Sequence, residues 1–343
     1  MQPASSLGVT ILAVVSLILW MLWPVFIKRS TRLRWEFFYY DFLFGAIIAT
    51  LLGGFTAGTF GTEITFRDNI AIVGYRQLAF AAMAGGVFSL GAIAFVASVT
   101  VAGASVGGVL TGASALITGT IIAYFFSGSV STGVQFAGVA LSLVAFLLIA
   151  RFHSEALRLQ KKDLTHKTPM RKKVNTVSAG VVVTLCIVAG LGLGSFLPFI
   201  DWARGFDLPM TAFPMAAMFA LGMFAVGFAL NLYFVNLPVQ GDPVSPFGYF
   251  KAGPALHING LLAGILFGVG LIAYLLLFDA PASLAVHRGV LVAIVPASLG
   301  LFSILGRTVW NEYDEAVYRT KTAFFAGGFV IALSALAVVA GYI

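Results

Sequence analysis

Charge is what this sequence has least of. Only 10% of its residues are Asp, Glu, Lys or Arg against 60% hydrophobic, and its mean hydropathy is +1.00. A folded domain of 343 residues with that balance has too little polar surface to stay dissolved in water. Cysteine is nearly missing too: Cys186 stands alone inside an apolar run, which excludes an intramolecular disulfide and a cysteine metal cluster. The phosphate-binding glycine loop and the His-Glu-x-x-His zinc pair are absent from the sequence, and it offers no strand-to-helix turn of the nucleophile-elbow kind. No cofactor, metal or catalytic residue is therefore expected. An intramembrane enzyme acting on lipid-linked substrates would need acids, bases or metal ligands converging at depth, and the chain offers too few. The formal net charge of +7 sits in short loops between apolar segments, where it orients the chain and meets anionic lipid headgroups rather than nucleic acid.

What the chain has is apolar length. A bilayer core of roughly 30 Å takes about 20 apolar residues in helical form. Runs of that length fall near 8–27, 37–60, 77–100, 104–127, 131–151, 176–200, 211–236, 255–278, 287–306 and 321–342. The first run has no basic residue before it and no small-residue cleavage site after it, so it is expected to remain as a span rather than be removed as a signal peptide. Only Gly103 parts the third and fourth runs, and one long kinked segment is the alternative there. The expected fold class is an all-α polytopic membrane protein of ten transmembrane helices. Its organisation is a first five-helix repeat over 1–151, a basic linker over 152–175 and a second five-helix repeat over 176–343.

Ten spans put sixteen basic residues on one face, among them Lys28, Arg32 and Arg34 and the eight from Arg151 to Lys173, against Arg67, Arg76, Arg204 and Arg288 on the other. Positive charge stays inside, so both termini are expected outside and the linker in the cytoplasm. Five spans per half is odd, so the second half enters the membrane in the opposite sense, the plan of an inverted-repeat transporter. The first span ends in Trp23-Pro24 and the sixth in Gly194-Ser195-Phe196-Leu197-Pro198-Phe199, a hint of internal repetition. The 38 glycines, many at helical spacing, let helices pack closely in lipid.

Polar groups at membrane depth are costly, so the few present mark candidate sites. Asp41 follows Glu36 into the second span among aromatics. It is either an interfacial anchor paired with Arg32 or Arg34, or a carboxylate that binds a coupling proton or cation. Glu36 is expected to be exposed. Trp20 and Trp23 share a helix face and suit either an interfacial belt or stacking on a solute ring, and Phe196 holds the matching place in the second half. Asn231, His257 and Asn259 suit a neutral polar solute, or interhelical hydrogen bonds. Gln77, Gln135 and Tyr274 are weaker candidates. The acidic Glu312-Tyr313-Asp314-Glu315 reads as a solvated, salt-bridged loop.

Four segments in order, Trp35 to Phe42, Gly194 to Phe199, His257 to Gly270 and Ser298 to Tyr313, resemble the ureide permeases and the related glucose/ribose and rhamnose porters of the drug/metabolite transporter superfamily. The resemblance implies ten helices in inverted repeats, a central substrate cavity and alternating access. It also implies substrates among monosaccharides, ureides and nucleobase-like heterocycles, often moved with protons. It maps the aromatic-Asp segment onto Tyr39, Tyr40 and Asp41, and the His-led segment onto His257, Asn259 and Gly260. Met21 and Leu22 replace the small residues expected between the tryptophans, which changes the cavity shape expected there. The short linker lacks a phosphate-loop-like sequence and implies no nucleotide regulation.

The expectation is a symporter importing a small polar solute, a monosaccharide or a ureide-like heterocycle, in a bacterial inner membrane. Trp20, Trp23, Tyr40, Phe196, Asn231, His257 and Asn259 are its expected substrate contacts, and Asp41 its coupling residue. The bilayer and the solute are the expected partners, with oligomeric state open. Efflux of lipophilic cations is the alternative, and a structural scaffold a remoter one.

Overall fold

The computed structural model describes residues 5–60, 64–127, 132–167, 177–206, 208–281, 288–313 and 318–341. They form fourteen α-helices and one 3-10 turn. Ten helical segments are long and apolar enough to cross a membrane. The first span is α1 (Ser6–Leu22) followed by α2 (Val25–Arg29), and the second is α3 (Trp35–Phe55). A short α4 (Phe66–Ile72) precedes α5 (Tyr75–Ala102), α6 (Ala104–Ser127) and α7 (Thr132–Lys167). The sixth span is α8 (Ala179–Gly194) with α9 (Leu197–Arg204), followed by α10 (Ala212–Asn236). A four-residue α11 (Gly248–Lys251) leads into α12 (Pro254–Leu276), α13 (Arg288–Thr308) and α14 (Tyr318–Ala340). Leu52, Leu147, Leu333 and Leu336 are exposed on the outside of the bundle, as hydrocarbon solvent allows and water does not.

The expected spans are present, and Gly103 does separate the third from the fourth. Its φ of 85° lies in the left-handed region that glycine adopts without strain. The fifth span overruns its expected end: α7 continues past Arg151 to Lys167. No helix breaker occurs between those positions, and the first proline is Pro169. The rest of the linker, 168–175, lies outside the described residues, as do Asp314 and Glu315.

Both first-of-half spans are broken where the sequence hinted. Pro24, which has no N–H to give the preceding turn, parts α1 from α2, and Ser195-Phe196 parts α8 from α9. Helix pairings repeat with the halves exchanged. Helix α3 packs on α12 as α10 packs on α5, and α1 packs on α12 and α13 as α8 packs on α5 and α6. This pattern is consistent with two inverted repeats. The α3–α12 pair runs parallel, with Gly260 over Asp41, Gly264 over Phe42 and Gly268 over Ala49. A Cβ on Gly264 would stand 2.1 Å from the Phe42 carbonyl oxygen, so backbone meets backbone here with no room for a side chain.

Ion pairs close the two ends. At the end carrying Lys28, the fully buried Glu36 takes both Arg34 Nη2 (2.7 Å) and Nε (3.2 Å), contrary to the exposed position expected for it. Arg34 also donates to the Asp242 carbonyl at 2.7 Å. Glu312 is likewise folded in. Its two oxygens accept the N–H groups of Ala104 (2.9 Å) and Ser105 (2.8 Å), and Lys28 sits 2.7 Å away. At the other end Arg204 pairs with Asp279 at 2.6 Å, Asp279 accepts the Ala212 N–H at 3.0 Å, and Arg288 clasps Asp201.

Two stability predictions follow from this packing. Gly264→Val should lower the apparent Tm in detergent by the equivalent of at least about 1–3 kcal/mol, the usual cost of overpacking. Gly133→Val, where a Cβ meets nothing within 4 Å, should leave it unchanged. Arg34→Ala should cost about 3–5 kcal/mol by leaving Glu36 buried and unpaired, and adding Glu36→Gln should recover most of it. A double variant no more stable than the single one would contradict the pairing.

Candidate coupling and substrate sites

Asp41 occupies the second turn of α3 and is 3% exposed. It pairs with neither Arg32 nor Arg34. The close approach of α12 brings His257, in that helix's first turn, to it instead: Nδ1 lies 2.9 Å from Oδ2 and 3.1 Å from Oδ1. The short α11 folds back so that the Tyr249 hydroxyl donates to Asp41 Oδ1. The Tyr249 and His257 rings meet edge to face at 4.5 Å. Burial, and then the neighbouring carboxylate, push the Tyr249 phenol up, so it remains a proton donor at any physiological pH. The cluster therefore joins one carboxylate from the first half of the chain to two groups from the second.

Tyr40 and Asn231 belong to the same neighbourhood. Tyr40 packs on Tyr249 (5.9 Å) and Phe228 (5.2 Å), and its buried hydroxyl has no hydrogen-bond partner among the described residues. Asn231 on α10 donates to the Glu36 carbonyl at 2.6 Å, while its buried Oδ1 has no partner among the described residues. Asn259 follows His257 by two residues, about 200° around α12, so it faces away from Asp41.

The other expected contacts gather elsewhere, at the centre of the bundle. Trp20 and Trp23 are 2% and 3% exposed and point inward, so neither is a belt residue. Trp20 lies 4.9 Å from Tyr274 and 5.9 Å from Phe267, and donates to the Phe267 carbonyl at 3.3 Å. Trp23 meets Phe42 at 4.6 Å and Phe95 at 5.7 Å. Phe196 closes the cluster against Phe88 at 5.4 Å, whereas Phe199 turns outward onto Trp202 at 5.2 Å. The predicted residues thus form two groups, an aromatic centre and a polar cluster nearer the Lys28 end.

Gln77, Gln135 and Tyr274 hold structural hydrogen bonds, to Leu208, Gly341 and Leu291 carbonyls respectively. Two contributors escaped the sequence reading. Tyr249 lies in a loop rich in turn residues, where no periodicity places it. Tyr313 donates to the Ala102 carbonyl at 2.7 Å, beside Glu312, so these two neighbours cap both sides of the Gly103 break. The end of the Ser298–Tyr313 segment was the available signal.

Comparisons with known proteins agree with this architecture. The sequence model of the family described as ureide permease matches residues 38–197, from α3 to the start of α9. Ureide permease 3 of Arabidopsis thaliana is 27% identical over 297 residues, covering 79% of this chain and 85% of that protein. A probable ureide permease A3 of Vigna unguiculata is 26% identical over 309 residues, with 72% and 82% covered. A solved crystal structure shares the fold with a TM-score of 0.54 at 13% identity, over 96% of this chain and 97% of the other. The family match and the curated relatives thus agree with the resemblance read from the motifs: this chain is an integral membrane protein similar to the ureide permeases.

Proposed function

We propose that the protein is a secondary active transporter that imports a small ureide-like solute together with protons, by alternating access. The observation that carries the reading is the junction of Asp41 with His257 and Tyr249, a carboxylate of the first half held by two groups of the second. The names of the curated relatives favour a ureide over a monosaccharide. In this reading the end carrying Lys28 is cytoplasmic and both termini lie outside, the orientation that the distribution of basic residues supports.

Protonation at Asp41 is the coupling event. As a carboxylate it accepts from Tyr249 and His257 together, which holds α11 and the start of α12 against α3. Once it carries a proton, its O–H is a donor, and facing a His257 Nδ1 that also carries a hydrogen it has no acceptor there, so the tie between the halves loosens. Proton binding thereby biases which end of the bundle is open, as coupling requires. The aromatic centre around Trp20, Trp23 and Phe196 forms the barrier the solute crosses. Aromatic stacking there suits a flat ring.

Asp41→Asn is the direct test in proteoliposomes. It should abolish accumulation of a labelled ureide against its gradient yet leave counterflow exchange partly intact, because exchange needs no net proton movement. Normal uphill accumulation by Asp41→Asn would remove Asp41 from the coupling role.

A further inference from the structure

A cleft of about 490 Å³ lies at the Lys28 end, between α2, the turn after it, the start of α3 and the end of α5. That volume falls within the roughly 300–1,000 Å³ typical of small-molecule sites. Its inner wall includes Ile27, Phe38 and Val99. Each stands four residues along the chain from Trp23, Phe42 and Phe95 in turn, the rings packed together at the bundle centre. The cleft thus reaches inward to the outer side of the aromatic barrier.

Its outer wall is cationic, with Lys28, Arg32 and Arg34 all lining it. Glu312 answers Lys28 and Glu36 answers Arg34, both at 2.7 Å. Arg32 is exposed and has no ion-pair partner among the described residues, so it is the unmatched charge. Two further wall residues carry unanswered donors. The Ser30 hydroxyl and the Trp35 indole N–H belong to side chains 7% exposed, and neither has a hydrogen-bond partner among the described residues. Buried donors are nearly always paired, so these two remain free for an acceptor that reaches them.

We infer that this cleft is the cytoplasmic mouth of the transport path and that it selects planar solutes bearing an anionic group, a carboxylate or a deprotonated ring imide. Arg32 pairs with that charge, and Ser30 and Trp35 donate to its oxygens. The inference rests on the ureide-transporter reading and adds to it the charge of the solute.

The test is calorimetric titration of the protein in zwitterionic-lipid nanodiscs with two probes that differ only in charge, hydantoin-5-acetate and hydantoin-5-acetamide. The acetate should bind about tenfold more tightly, the scale of one charge-assisted hydrogen bond. Arg32→Gln should erase the difference and Arg32→Lys should keep part of it. Arg32 is exposed, so neither change threatens folding. Equal binding of the two probes would overturn the anion selectivity while leaving the ureide reading intact, and binding of neither would overturn both. A preference that survives Arg32→Gln would overturn the placement of the charge in this cleft. So would loss of acetate binding in phosphatidylglycerol nanodiscs, which would assign the cleft to a lipid headgroup.

Discussion

Hydrocarbon offers a polypeptide no hydrogen bonds, so every N–H and C=O freed by a helix break has to find its partner within the protein. That requirement organises this bundle. The break at Gly103 frees the N–H groups that open α6, and the Glu312 carboxylate accepts two of them while Tyr313 serves the last carbonyl of α5. An anion at a helix N-terminus also answers the helix dipole. Because Glu312 comes from the loop after α13 and pairs with Lys28 at the end of α2, satisfying one break ties three parts of the chain together. Asp279 does similar work at the other end, where it accepts from the first turn of α10 and pairs with Arg204.

The same absence of a hydrophobic drive inside the membrane makes close packing of small residues the force that joins helices. Glycines along α12 let α3 approach until backbone touches backbone. That approach brings His257 within hydrogen-bond reach of Asp41, and α11 then supplies Tyr249. The polar cluster is therefore a product of the packing. A side chain inserted at Gly264 would part the groups of the cluster as well as the helices.

The spans were legible because twenty apolar residues in a row have one cheap conformation in lipid, whereas Gly103 could be read as a break or a kink, and its φ of 85°, which glycine adopts without strain, makes it a break. The broken first and sixth spans were foreshadowed by Pro24 and Pro198 in matching places. The surroundings of Asp41 were not legible. Locally, Arg32 and Arg34 were its obvious partners, and only the tertiary approach of α12 replaces them with His257. Glu36 read as exposed because it opens a helix near charged residues, yet Arg34 turns back to cover it and permits its burial. Trp20, Trp23 and Phe196 do meet in the centre, whereas Tyr40 and Asn231 lie in the polar group nearer the Lys28 end. The aromatic and polar residues expected to form one site occupy two levels of the bundle. Helical spacing orders residues along each helix and says nothing of the depth at which two helices meet.

The central claim is that a proton gradient drives a ureide through this bundle. Its most direct measurement is uptake of a labelled ureide by the purified protein in liposomes held more acidic outside than inside. The account predicts accumulation above the external concentration that collapses when a protonophore dissipates the gradient. Uptake that merely equilibrates, at the same rate with or without the gradient, would contradict it.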